Sequence, residues 1–175
     1  QNIISVEQVM KSSKIADPLK LLDCSPISDG AAAVVLTRKK RKDSIEIVAS
    51  AVATDTLGLA QRKSLTELTA TRAAAKRAYA QAGIHPQDVH MAEVHDCFTI
   101  AEILAMEDLG FFPKGKAAQA VAAGKTSLGK SKIVINPSGG LKGCGHPVGA
   151  TGVKQIVELL QQLRGSAGKR QVEGA

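Results

Sequence analysis

Hydrophobic positions along the chain fall into short clusters whose period changes from one to the next. Val6, Val9 and Met10 recur at helical spacing, and the pattern stops ahead of Pro18, whose ring pushes the preceding residue out of helical geometry. A short helix is expected within residues 3–17. Residues 19–24 predict a strand and residues 26–30 a turn. The run Ala31-Ala32-Ala33-Val34-Val35-Leu36 is apolar at every position, as in an element covered on both faces. Residues 44–54, with Ile45, Ile47, Val48 and Val52, predict a further strand. Ser64 and Glu67 stand at capping-box spacing before an alanine-rich stretch that ends at Gly83, which predicts a helix.

Beyond the turn at His85-Pro86, residues 89–94 read as a strand. Residues 98–109 read as a helix with Ile100, Ile103 and Leu104 on one face and Gly110 as its stop. A helical pattern covers residues 116–123, a short buried strand residues 132–135, and a glycine-rich turn residues 136–152. Val153, Ile156, Val157, Leu160 and Leu163 then trace a last helix closed by Gly165. Residues 166–175 carry no strand pattern. Strands alternating with helices predict an α/β fold with a mostly parallel, mixed sheet and flanking helices.

Composition narrows the partners. Hydrophobic residues make up 44% of the 175 but aromatics only 2%, so the core must be aliphatic, and a base-stacking platform for single-stranded nucleic acid is not expected. Lys and Arg exceed Asp and Glu by 23 to 16, a net +7, concentrated at Arg38-Lys39-Lys40-Arg41-Lys42. That run reads as a solvated connector, and the overall sign suits a phosphate-bearing small molecule. No apolar run approaches the roughly 18 residues of a membrane span, and Gln1-Asn2-Ile3 does not open a secretory leader. Three cysteines, an odd number, predict reduced thiols and a cytoplasmic setting. The missing initiator Met, and a last helix with no strand to return to, lead us to expect a longer protein around these residues.

Residues 124–131 match the phosphate-loop expression G-x-x-x-x-G-K-[ST] letter for letter. That loop works by leaving a strand and opening a helix, so that helix N-terminal amides meet phosphate. Here a helical pattern comes first and a strand follows, so nucleotide hydrolysis is not expected. The glycines at 139, 140, 143, 145, 149 and 152 do lie between a strand and a helix, which suits anion binding or close backbone approach. They miss the dinucleotide fingerprint, since the third glycine counted from Gly143 would fall on Val148.

Two segments carry chemistry. His95-Asp96-Cys97-Phe98 follows the strand of residues 89–94, and Cys144-Gly145-His146-Pro147 follows the strand of residues 132–135. Ligands collect at the carboxyl ends of strands in open α/β sheets. An imidazole there can donate to a developing oxyanion or take a thiol proton, and a thiol of lowered pKa can shuttle a proton. Any one such His is more often structural and any one such Cys a small core residue; two of each converging by topology favour function. His95, Cys97, Cys144 and His146 would also make a Cys₂His₂ zinc set, but H-x-C and C-x-H lack the usual ligand separations, and no metal is expected.

At these residues the chain resembles the thiolase family, in the branch linked to sterol carrier protein. The resemblance is carried by the His-Asp-Cys-Phe tetrad, by Asn136-Pro137-Ser138-Gly139-Gly140 with Gly145-His146-Pro147-Val148-Gly149-Ala150-Thr151-Gly152, and by Ser28-Asp29-Gly30-Ala31-Ala32-Ala33. It implies a thiolase-like layered fold built from two similar halves. Residues 1–37 would be the last elements of the N-terminal half and residues 44–175 the C-terminal domain, with its final strands missing. The implied activity is acyl transfer between coenzyme A thioesters, by Claisen condensation or by thiolytic cleavage of a 3-ketoacyl thioester, as in an acetyl-CoA C-acyltransferase. Coenzyme A thioesters would be substrates, with no cofactor bound permanently.

The resemblance also implies roles. His146 would take the proton of a nucleophilic Cys, His95 would donate to the oxygen of the enolate-forming thioester, and Cys97 would move the α-proton. Asp96 would orient the loop. Ser25 and Gly145 would lie along the bound coenzyme A, although Cys24 and Pro26 depart from the usual surroundings of Ser25. The nucleophilic Cys belongs to the N-terminal half, so none of the three cysteines takes that role, Cys144 has no family counterpart, and residues 1–175 alone are expected to be inactive. Homo-oligomerisation through the N-terminal half is expected. The alternative is a non-catalytic acyl-coenzyme A or lipid-binding module of the same fold.

Overall fold

Local capping fixes the first element. In the computed structural model, which describes residues 3–129 and 131–175, Ser5 and Gln8 form a reciprocal capping box at the start of α1 (Val6–Lys11). The chain then turns back on itself: β1 (Lys14–Ala16) pairs antiparallel with β2 (Leu19–Lys20). The strand expected over residues 19–24 is therefore confined to two residues. A 3₁₀ turn at Leu21–Asp23 takes over, because the Asp23 carboxylate accepts from the Lys20 amide (2.9 Å) and closes the chain on itself.

Helix α2 (Thr69–Ala82) ends at Gly83 as expected but starts later than the Ser64 signal. Ser64 Oγ instead accepts from Thr66 N in a local turn, and the carboxylate of Asp108 accepts from Leu68 N (2.6 Å), so the helix is capped from another element. The chain then passes through a 3₁₀ turn at Pro86–Asp88 into β3 (Met91–Ala92), α3 (Thr99–Asp108), α4 (Ala117–Ala122) and β4 (Val134–Ile135). β3 and β4 pair in parallel, Met91 opposite Val134 and Ala92 opposite Ile135. Val94, Ile133 and Ile135 from this ladder pack on Ala105 and Met106 of α3 and Ala117 of α4, with Phe111 and Phe112 at the edge. The core is thus aliphatic and lies directly beneath the strand ends that lead to His95 and His146. The phosphate-loop match indeed follows a helix and precedes a strand; its Lys130 lies outside the described residues.

The glycine-rich stretch is not wholly irregular. It contains α5 (Gly140–Cys144) before α6 (Thr151–Leu163) begins. Residues 166–175 form no strand, yet Gln162 holds them on α6: its side chain donates to Arg170 O (2.8 Å) and accepts from Val172 N (2.9 Å), while Arg170 pairs with the buried Glu158 (2.9 Å).

Neither the covered element expected at residues 31–36 nor the strand expected at residues 44–54 is formed. Residues 31–36 and 44–54 run without ladder partners among the described residues, and Val35 and Leu36 are exposed at 94% and 74% rather than covered. Apolar content favours a strand, but a strand exists only where a neighbour takes its N–H and C=O groups. Residues 44–54 are tied to α2 by side chains, Gln81 accepting from Ser50 N and Arg77 donating to Val52 O, while Ser44 closes a local turn with Arg41.

Candidate active site

The parallel ladder ends at Asn136 N, which donates to Ala92 O (2.8 Å), and from that point the two chains separate into loops carrying the two histidines. The loops are cross-linked by side chains. Asn136 Oδ1 accepts from Val94 N (2.7 Å), Glu93 accepts from Ser138 N (3.0 Å) and Oγ (2.8 Å), and Asp96 accepts from Leu141 N (2.9 Å). Gly140 has φ +63°, and a Cβ there would come 2.8 Å from the Asp96 carboxyl carbon and closer still to an oxygen; only glycine lets α5 start against that carboxylate.

These links bring the imidazoles of His95 and His146 together, ring centroids 4.9 Å apart and planes at 77°, edge against face. His146 is buried, and its Nδ1 lies 2.7 Å from Thr151 Oγ1. The Thr151 hydroxyl has one proton, and it donates that proton to Pro147 O (3.1 Å). With the hydroxyl proton directed to Pro147 O, Thr151 accepts from His146 Nδ1 and Nε2 is the acceptor; the opposite tautomer has Thr151 donating to Nδ1. Partial burial lowers the His95 pKa, His146 lowers it further and Asp96 works the other way; the net shift is below the ordinary value, which favours the neutral ring, a form with one N–H to donate.

A strap from the first part of the chain crosses both loops. Cys24 bridges antiparallel to Phe98, with Ser25 N donating to Cys97 O (2.9 Å), and Ile27 bridges parallel to His146, with His146 N donating to Pro26 O (3.1 Å). This register sets Ser25 opposite Cys97, and both are half-buried. Gly145 has φ +81°, and a Cβ there would come 2.6 Å from Ser28 Oγ, so its lack of a side chain is first of all what lets the strap lie close. A groove of about 450 Å³ opens beside it, lined by Ser28, Asp29, Gly30, Pro147, Val148 and Gly149. The Cys144 thiol donates to Ser138 O (2.8 Å) and is exposed.

The expected site residues thus fall on three segments that the fold draws together: His95 and Cys97 on one loop, His146 and Gly145 on the second, Ser25 on the strap. Asn136 and Thr151 stand in the motif segments without a role assigned to them, and sequence reading did not find Glu93 or Glu102 as parts of this region. Thr151 lies only five residues past His146, whereas nothing in the spacing of Asn136 at the strand end announces its bonds to Glu102 and Val94 across 34 and 42 residues. Burial pushes the Glu93 carboxyl above its ordinary range against the pull of the Ser138 bonds. Burial and the charge of Asp96 do the same to Glu102, which accepts from Asn136 Nδ2 (3.0 Å).

A layered α/β chain with paired imidazoles where parallel strands end belongs to a known class. Residues 51–175 match the family described as thiolase C-terminal domain-like, and the chain belongs to the thiolase family. It is 52% identical, over 98% of its length and 46% of the relative's, to an acetyl-CoA acetyltransferase of Methanothermobacter thermautotrophicus. It is 43% identical to sterol carrier protein 2 of Oryctolagus cuniculus, over 100% of this chain and 34% of that one. In fold it is similar to the Ltp2-ChsH2(DUF35) aldolase, with a TM-score of 0.75 over 94% of this chain and 44% of that chain, at 24% identity. The chain spans less than half the length of the curated relatives it matches. No helix among the described residues is long and apolar enough to cross a membrane.

Proposed function

We propose that this chain supplies the His and Cys side of an acyl-coenzyme A thiolase site. The observation that carries the reading is the contact between the His95 and His146 rings above the ends of β3 and β4, with Cys97 two residues from His95. His146 Nε2 takes the proton of a nucleophilic thiol belonging to a cysteine outside residues 1–175. The thiolate attacks a thioester carbonyl, an acyl-enzyme forms, and coenzyme A leaves with the proton held by His146. For condensation, Cys97 as thiolate removes the α-proton of a second acyl-coenzyme A while His95 donates to the enolate oxygen. The carbanion attacks the acyl-enzyme carbonyl, the carbon–carbon bond forms and the enzyme thiolate departs; cleavage runs these steps in reverse.

In this reading Ser25 and Gly145 contact the pantetheine arm, Gly145 lying against Ser28 at the edge of the groove, and coenzyme A thioesters are the substrates, with no resident cofactor. The test uses the full-length protein with acetyl-coenzyme A and a series of 3-ketoacyl thioesters, with mass spectrometry for an acylated cysteine. Cys97→Ala is expected to abolish condensation and retain acylation; condensation that survives would remove the acid/base role of Cys97. Binding of the thioesters with neither acylation nor turnover would favour the second reading, an acyl-coenzyme A or lipid-binding module, to which the sterol carrier name of one relative points.

A further inference from the structure

We propose that Asn136 and Glu102 form a positioning pair that sets the His95 loop against the His146 loop, and that what the pair supplies is the fixed orientation of the Asn136 amide. The proposal rests on the reading of His95 and His146 as the working imidazoles. Backbone pairing between β3 and β4 stops at Asn136 N and Ala92 O, and the Asn136 side chain carries the ladder one step further by accepting from Val94 N, the residue before His95. A carboxylate only accepts hydrogen bonds, so Glu102 Oε2, at 3.0 Å, takes the Nδ2 end of the amide and leaves Oδ1 for Val94. Were the amide to turn over, the Val94 N–H would face an NH₂ group and Glu102 would face an oxygen. Asn136 cannot swing clear either. It is buried and has φ +49°, the one non-glycine residue at positive φ among the described residues. Glu93 on Ser138 and Asp96 on Leu141 tie the same loops farther along, but neither bond fixes an amide's direction.

The polarity of the pair makes it testable by exchange in the full-length protein, measuring thiolysis of a 3-ketoacyl-coenzyme A together with the yield of folded protein. Asn136→Asp puts a second carboxyl where Nδ2 donated, so that the two groups either repel or share a proton, and the bond between Glu102 and position 136 no longer has a fixed polarity. The expected effect is a fall in kcat of roughly 100-fold, with KM within about threefold, the scale of loss when a reacting group is misplaced by about 1 Å. Glu102→Gln can still accept from Asn136 Nδ2 but no longer obliges the amide to face that way, and the expected loss in kcat is the smaller one, about threefold. In Asn136→Asp/Glu102→Gln the amide introduced at 102 donates to the carboxylate introduced at 136, Val94 N keeps its acceptor, and at least about tenfold of the lost kcat returns. Rescue of turnover, or of folding where Asn136→Asp alone fails to fold, supports the pair. A folded Asn136→Asp variant with parental kcat, or a double variant no better than Asn136→Asp, overturns it. Inactive His95→Ala and His146→Ala variants beside an unaffected Asn136→Asp separate failure of the pair from failure of the site. Full activity in both alanine variants overturns the site reading and the proposal with it.

Discussion

Two ionisable neighbours act on the His95 imidazole in opposite directions. Partial burial is the largest influence and lowers its pKa, the like charge of a protonated His146 lowers it again, and the Asp96 carboxylate raises it by a lesser amount. Removing the second ring should therefore release both downward influences in part. Titration of the full-length protein by NMR is expected to give His95 a pKa below the ordinary value of about 6.5, moving up toward it in His146→Ala and farther down in Asp96→Asn. An unchanged value in His146→Ala would mean that the ring contact is not what holds His95 neutral. Thr151 acts on the other ring. Thr151→Val leaves Nδ1 of His146 without its acceptor, and the loss in kcat expected for removing such a partner is about 10–100-fold, with Thr151→Ser close to the parent. Nitrogen chemical shifts of His146 give the independent reading: Nδ1-protonated in the parent and Thr151→Ser, and no longer so in Thr151→Val. The same tautomer in all three would sink the assignment.

At the scale of elements, α5 is the part of the site that hydrophobic periodicity did not reveal. Its five residues, Gly140–Cys144, include two glycines, and what starts the helix is not propensity but the Asp96 carboxylate accepting from Leu141 N. Gly140→Ala in the full-length protein is expected to cost about 1–3 kcal/mol, since φ +63° and overlap with the carboxylate both oppose a Cβ. Adding Asp96→Ala should return only part of this, the φ penalty remaining. An unaltered unfolding midpoint in Gly140→Ala would show that the loop relaxes freely. Helices α2, α3, α4 and α6 and the parallel pair β3 and β4 were legible because each joins a periodic pattern to a glycine stop or a buried aliphatic run. Residues 31–36 and 44–54 were overread for a physical reason: apolar alternation marks what a segment could bury, whereas pairing depends on a neighbour that no local pattern encodes. The histidines and Cys97 stood out as candidates because their residue types are chemically rare and their motifs long, whereas Ser25 was carried by the resemblance alone. The bonds of Asn136 and Glu93 could not be read, because common polar residues acquire meaning only once distant segments meet.

Over the whole molecule, the partly covered His95, Glu93 and Glu102 oppose one another in pH. His95 has a folded pKa below its unfolded value, so the unfolded chain binds the extra proton and stability contributed by this residue is lost as pH falls through about 6.5. Glu93 and Glu102 are shifted the other way, by burial first of all. In their case the folded state keeps protons that the unfolded chain has released, and stability is lost as pH rises from about 4.5 through the folded values. Between those limits the slopes partly cancel, so the protein should change little in stability across mildly acidic pH. Glu102→Gln removes one rising-pH penalty while keeping an acceptor for Asn136 Nδ2. Its thermal midpoint in the full-length protein, compared with the parent at each pH, is therefore expected to gain as pH rises from 4.5 toward 7, and His95→Gln to gain as pH falls below 6.5. A constant difference between parent and Glu102→Gln across that range would mean that Glu102 ionises as readily in the folded protein as in the unfolded chain, and that the carboxylate beside Asn136 is less secluded than its surroundings indicate.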